Sequence, residues 1–305
     1  MLFLSCSQAN GARAPAQPLM DTPSTSWQAL GMKWMLPVLV FFATLAPAQA
    51  LPRVMSLNLC ADAYLMSFAA KEQVVALTPQ SRDTSLSALA LAAKNYPISD
   101  GQIESIVALA PDLVIVSSYS DPLRNQLIEK LGIPILVQDA ANGFNEARAE
   151  ILSLGRAIGR PRQAAAYVKR LDAQLAALKP VSHRPRILPL QRRNLTVGNG
   201  HILDEIIAMA GGHNMGRSLS AAPMGRVSLE TALASDAGYI LVNERADRFR
   251  GPDSRGMEFL THPALARQFG AEKRLWVNNN LLVCAGATTP LAVEALLHQI
   301  GQSKN

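Results

Sequence analysis

The side chains of this chain best placed to do chemistry or to grip a solute are few. They are His201, His213 and His262, the thiols of Cys60 and Cys284, the phenol of Tyr119, and the guanidinium groups of Arg82 and Arg226. The five histidines are scattered without metal-ligand spacing, and no Cys-x-x-Cys occurs. A Gly-x-Ser-x-Gly elbow and a His-Glu-x-x-His pair are both missing, and no Gly-x-Gly-x-x-Gly follows the first strand. His201, His213 and His262 have no acid or nucleophile partner close in sequence. Acyl transfer, zinc-assisted hydrolysis and dinucleotide chemistry are therefore disfavoured. What remains suits capture: guanidinium forks that can pair with carboxylates, and polar loops that can orient a ligand.

Positioning such groups requires a scaffold, and its elements are readable. Arg53–Leu57 is an apolar run leading into Asn58 and Cys60, with helical character from Ala63 to Ala70. Val74–Leu77 is a second strand, Thr78–Thr84 a polar stretch carrying Arg82, and Ser85–Ala93 a helix. Ile103–Ala110 is a helix that feeds Leu113–Val116, four apolar residues in a row as in a strand buried on both faces. Ser117–Ser120 follows at its carboxyl end; Leu123–Leu131 is helical and Ile133–Val137 is the next strand. Alternation of this kind predicts a parallel α/β lobe. Phe144–Ile158 is a further helix.

Pro161–Leu178 is the organising helix. Ala164, Val168, Leu171, Leu175 and Leu178 fall in steps of four, three, four and three, one apolar stripe. Pro161 suits a first helical position. At about 1.5 Å per residue the rod is roughly 27 Å long, close to the width of a small domain. Beyond it the pattern restarts. Arg186–Leu190 is a strand, Leu195–Gly200 a polar loop, Ile202–Ala210 a helix, Met224-Gly225-Arg226 a turn and Ser228–Ala234 a helix. Tyr239–Val242 and Arg274–Val277 are strands, Asn278–Thr289 is a loop, and Pro290–Ile300 is a helix. Glu104 and Glu230 each lie nine residues before a buried strand, at the start of the helix feeding it. This echo predicts two related lobes: 51–160, a connecting helix over 161–180, and 181–305.

Lys33, the apolar run Trp34–Ala46 and Ala48-Gln49-Ala50 have the form of a signal peptide with a cleavage site after Ala50. The run is shorter than the ~20 residues a membrane-spanning helix needs. Translation is expected to start at Met32. The alternative is a start at Met1 with a lipoprotein-like box at Cys6. The mature chain keeps only Cys60 and Cys284 and would reside in an oxidising compartment, the periplasm. The net charge of +6 is spread out, and the densest basic spots, Arg192-Arg193 and Arg245–Arg250, are not interleaved with aromatics, so no nucleic-acid face is expected.

The segments RVMSLNLCAD, IESIVALAPDLVIV, LGIPILV, GHILDEIIAMAGGHN, VSLETALA and THPAL, in that order, resemble the periplasmic substrate-binding proteins of ABC importers that carry iron chelates and cobalamin. The resemblance covers Arg53 to Ile300. It implies an α/β fold of two Rossmann-like lobes joined by a single long spine helix, the class III arrangement, which closes only slightly on its ligand. It implies a monomer without a resident cofactor, which captures an iron–siderophore or corrinoid type of chelate and passes it to an ABC permease and ATPase at the inner membrane. Docking on the permease would use Glu104 and Glu230. The ligand would lie between the lobes against Asn58, Cys60, Arg82, Ser117, Tyr119, Met224, Arg226, Asn280 and Cys284.

The chain departs from the family's cobalamin binder, which carries tryptophans at the positions matching Ser117 and Met224; the mature chain has only Trp276. Arg82 and Arg226 instead suit an anionic chelate. Cys60 and Cys284 fall in loops expected at the cleft, one per lobe, and three fates are open to them: a disulfide across the lobes, soft metal ligands, or free thiols. Two other readings remain: an exported α/β enzyme, and a haem-binding or sensor protein in which Tyr119 supplies the axial ligand.

Overall fold

Leu113–Val116 (β3) is buried along its whole length, as a strand covered on both faces must be. In the computed structural model, which describes residues 50–139, 141–243 and 256–302, it pairs with Val54–Ser56 (β1) and Ile135–Val137 (β4). With Val74–Ala76 (β2) these make a four-stranded, all-parallel sheet of order β2-β1-β3-β4. Leader residues 1–49 and Arg245–Arg250 lie outside the described residues.

Helices connect these strands: Leu59–Phe68 (α1), Ala90–Ala93 (α2), Ile103–Leu109 (α3) and Pro122–Lys130 (α4), followed by Phe144–Ala157 (α5). Pro161–Ala177 (α6) then runs between this sheet and the next, with Pro161 in its first turn. Ala164, Tyr167, Val168 and Leu171 form its buried face, while Leu175 and Leu178 pack partly buried against the same core. It packs on α5, where Gly155 sits so close that a Cβ there would lie 2.2 Å from that of Ala164. Arg148 of α5 binds Asp172 of α6.

The second sheet has order β10-β9-β5-β6-β8, with a short strand, His213–Asn214 (β7), also paired to β5. Arg186–Gln191 (β5), Tyr239–Val242 (β9) and Arg274–Trp276 (β10) are parallel. Leu195–Val197 (β6) and Met224–Arg226 (β8) are antiparallel, so this sheet is mixed. Its helices are Ile202–Met209 (α7), Gly216–Leu219 (α8), Leu229–Ala234 (α9), Pro263–Gln268 (α10) and Thr289–Gln302 (α11).

Four local expectations are corrected. Leu195–Val197 and the 224–226 turn are strands, because the loop Arg192–Asn194 folds back with Arg193 (φ 60°) and Asn194 (φ 59°) both left-handed, aligning β6 against β5 and then β8 against β6. Helix α1 begins at Leu59, because the Asn58 side chain accepts from the Cys60 and Ala61 amides and caps it there. Cys60 thus stands in a first helical turn and not in a loop. The expected helix over Ser85–Ala93 shrinks to α2, because Asp83 accepts from both the amide and the hydroxyl of Ser85 and holds a turn instead.

One core joins the halves. Val54, Tyr64, Ile115, Phe144 and Ile151 belong to the same buried cluster as Leu171, Ile206, Leu241, Leu275, Ala285 and Ile300. Each sheet's outer face has its own cluster, around Met55, Ile106 and Ile128 in the first and around Leu188, Val227 and Phe269 in the second.

Candidate functional site

In open α/β sheets, ligands bind beyond the carboxyl ends of the strands. Here those ends converge from both sheets. After β10, the Asn280 side chain donates to the Thr84 carbonyl, in the polar stretch that follows β2, at 2.9 Å. Cys60, just past β1, is disulfide-bonded to Cys284, with Cα atoms 5.1 Å apart. This decides among the three fates of the thiols: they are bonded to each other, across the lobes. The Tyr64 hydroxyl donates to the Ala285 carbonyl at 2.6 Å along the same seam.

On the first sheet's side, Ser117–Ser120 forms a compact turn, in which the Ser120 amide donates to the Ser117 carbonyl and the Ser120 hydroxyl accepts from the Ser117 amide. Asp139 fastens it by accepting from the Ser118 amide. The turn projects Tyr119 into solvent, 92% exposed. Behind it, Gln138 is buried with neither end of its side-chain amide partnered. Gln138, Asp139, Glu150 and Ser153 line a hollow of about 230 Å³. The Glu150 carboxyl there is pushed up to about 7 by burial and by the neighbouring charges of Asp139 and Glu146.

On the second sheet's side, Gln191, Arg192, Arg193, Leu195 and Asn243 line a polar pocket of about 200 Å³ at the carboxyl ends of β5 and β9. Arg226, on the edge strand β8, donates to the Arg193 carbonyl and stands beside it; Met224 is exposed on the same strand. Asn243 donates to Asn279, yet its own Oδ1 is buried without a donor, and so is Oδ1 of Asn280. A buried polar atom left unpaired costs about 1–3 kcal/mol. Three such side chains at strand ends are acceptors and donors suited to a solute or to ordered water.

The sequence-derived residues divide accordingly. Ser117, Tyr119, Met224, Arg226 and Asn280 stand at or beside these openings. Asn58 is committed to capping α1 and to the Gln138 carbonyl. Arg82 braces the Ala93 and Tyr96 carbonyls. Cys60 and Cys284 are buried in their bond. Sequence reasoning missed Gln138, Asn243 and the pocket role of Arg192-Arg193. Each directly follows a strand, which is the one signal that would have flagged it. Glu104 and Glu230 are exposed in the first turns of α3 and α9. Hydrogen bonds from its own amide and from Ser228 hold the Glu230 carboxyl below the usual range. Among the described residues no cluster of three or more His, Cys, Asp or Glu suits a metal, and no helix is long and apolar enough to cross a membrane.

The family profile described as "Periplasmic binding protein" matches residues 55–273. The chain belongs to that family. Its members are solute-binding proteins of ABC importers, not enzymes, and they are periplasmic. The two-lobed α/β architecture is the class III form. Similar solved structures include the periplasmic haem-binding protein RhuT of Roseiflexus sp. RS-1, at 20% identity and TM-score 0.65, over 84% of this chain and 100% of that one. The haem-binding protein HutB of Vibrio cholerae is 18% identical with TM-score 0.67, over 82% and 98%. The vitamin B12-binding protein BtuF of Vibrio cholerae is 21% identical with TM-score 0.55, over 84% and 98%. At these identities the likeness is one of fold. No curated protein sequence matches this family member.

Proposed function

We propose that this family member captures a metal–organic chelate between its lobes in the periplasm and delivers it, as a monomer, to an ABC permease and ATPase. The observation that carries the reading is the convergence of both sheets' carboxyl ends on one seam, with arginines on one side and an exposed phenol on the other. Among such chelates, iron porphyrin fits these groups best. Tyr119 offers a phenolic oxygen to the metal, and Arg193 and Arg226 offer forks to peripheral carboxylates. Several proteins of similar fold are haem binders by description, which supports this choice over a corrinoid. Trp276 packs partly buried against the second sheet's outer cluster and is not offered to a flat ligand.

We take the leader as residues 1–50 with a start at Met32, which would account for export, and the lobes as 51–160 and 181–305 about a 161–180 connection. The permease would be met by Glu104 and Glu230. The test is haemin titration of residues 51–305 followed by absorbance. An iron–phenolate band that is lost in Tyr119→Ala is expected. Without a band in the wild-type chain the porphyrin reading fails, and a panel of ferric siderophores and cobalamin would then be tested by thermal shift, where a ligand at a hundred times its Kd adds about 2.7 kcal/mol.

A further inference from the structure

The lobes of this molecule are connected by chain through α6, and the Cys60–Cys284 bond adds a second covalent connection between residues 224 positions apart. Its surroundings are built around it. Cys60 and Cys284 are only 7% and 5% exposed. Next to them the Tyr64 hydroxyl reaches the Ala285 carbonyl, and a Cβ on Gly286 would lie 3.0 Å from Ala147 and 3.1 Å from the Tyr64 hydroxyl. The segment 279–288 of the second lobe is thus wedged between α1 and α5 of the first. Two further polar contacts cross the seam: Asn280 to the Thr84 carbonyl, and the Phe144 amide to Glu205 of α7 at 2.7 Å.

A two-lobed binder with one connection can rock about it, whereas two covalent connections flanked by a shared core remove that freedom. We infer that the Cys60–Cys284 bond is a positioning device: it fixes the width of the opening between Tyr119 and the Arg192–Arg193 pocket before any ligand arrives. The opening is then preformed, and its span selects ligands by size. Capture proceeds without closure, and the apparent affinity is not reduced by time spent in spacings that cannot bind. The ligand-selecting part of this inference rests on the function proposed above; the fixing of lobe spacing does not.

The test compares the oxidised chain 51–305 with the same chain treated with a phosphine reductant and with the double variant Cys60→Ala, Cys284→Ala. Without ligand, small-angle scattering and hydrogen exchange are recorded. The expected result is a broader particle and exchange about tenfold or more faster in peptides spanning 59–66 and 279–289, with the outer faces of both sheets unchanged. Unchanged scattering and exchange in both reduced and variant chains would overturn the inference. So would global unfolding on reduction, which would make the bond a staple of the fold and not of the spacing. A haemin arm, expected to show weaker binding through a slower on-rate in the variant, can fail with the function proposal while the ligand-free arm still decides the spacing.

Discussion

Replacing Gly155 by alanine tests the packing that holds the connecting helix. Gly155 lies within α5, where alanine gains about 0.5–1 kcal/mol in helix propensity over glycine. On a free helix the change would stabilise. Here the new methyl would sit 2.2 Å from the Ala164 Cβ and 3.2 Å from the Arg160 carbonyl, against an ordinary carbon–carbon contact of about 3.5–4.0 Å. Helices α5 and α6 must separate by more than an ångström, and that loosens Tyr167, Leu171 and the Arg148–Asp172 pair together. Overpacking of this kind costs about 1–3 kcal/mol, and the contacts strained along two helices place this case at the upper end. The net expectation is a loss of about 2 kcal/mol, or roughly 4–8 °C in Tm for a chain of this size. Ala164→Gly alone should also destabilise, by about 1 kcal/mol. The double variant should be more stable than the two losses added together by at least about 1 kcal/mol, the mark of a direct contact. Urea melts of the four proteins read this cycle. A Gly155→Ala chain more stable than its parent, or strict additivity, would refute the packing.

Three other perturbations follow from named groups. Burial raises the Asp62 carboxyl from its ordinary 3.8 to about 7 despite hydrogen bonds from Ser56 and Thr78. Its folded form therefore holds a proton that its unfolded form releases, and stability present below about pH 4 is lost as pH rises toward 7, on the order of 4 kcal/mol. Melts of Asp62→Asn between pH 4 and 8 should show a flatter decline than wild type, and an equal slope would exclude this assignment; Glu150, which titrates in the same window, keeps a residual slope in both. Glu205→Ala leaves the Phe144 amide without its carboxylate and α5 without a capping side chain, since Gly143 supplies none. It should cost about 1–2 kcal/mol by denaturant melt, and a neutral effect would show that water replaces it. Glu104→Ala with Glu230→Ala should leave ligand affinity intact while lowering stimulation of the reconstituted transporter's ATPase; full stimulation would remove both residues from the docking role.

Where burial alone set the structure, the sequence was legible. Leu113–Val116 and Tyr239–Val242 form strands with the expected bounds because four consecutive apolar residues leave no solvent-facing alternative. Pro161 likewise marked the start of α6 to the residue. Elements fixed by side-chain-to-backbone bonds were not: the Asn58 cap moved α1 four residues upstream, and Asp83 turned an apolar, alanine-rich stretch away from helix. The β5–β6 hairpin had no local signal, since its left-handed positions are filled by Arg193 and Asn194 and not by glycine. The site was legible only in part, because Gln138 and Asn243 matter through what surrounds them at a sheet edge, which periodicity does not encode. Arg82 carried the right charge for a ligand but found carbonyls of its own chain first.

The shared core has a consequence for the order in which the chain can fold. Val54 and Tyr64 of the first lobe are buried in one cluster with Leu296 and Ile300 of α11, and Cys60 meets its partner Cys284 only 224 positions later, so the seam between the lobes cannot be completed until nearly the whole chain has been made. Non-local closure of this kind is slow, because the entropy of bringing distant segments together is spent before the contacts reward it. A nascent chain therefore keeps this seam open through nearly its whole synthesis. For a protein proposed to be exported, late closure leaves Cys60 waiting for Cys284, so the pair can be oxidised only after the carboxyl-terminal part of the chain has emerged on the far side.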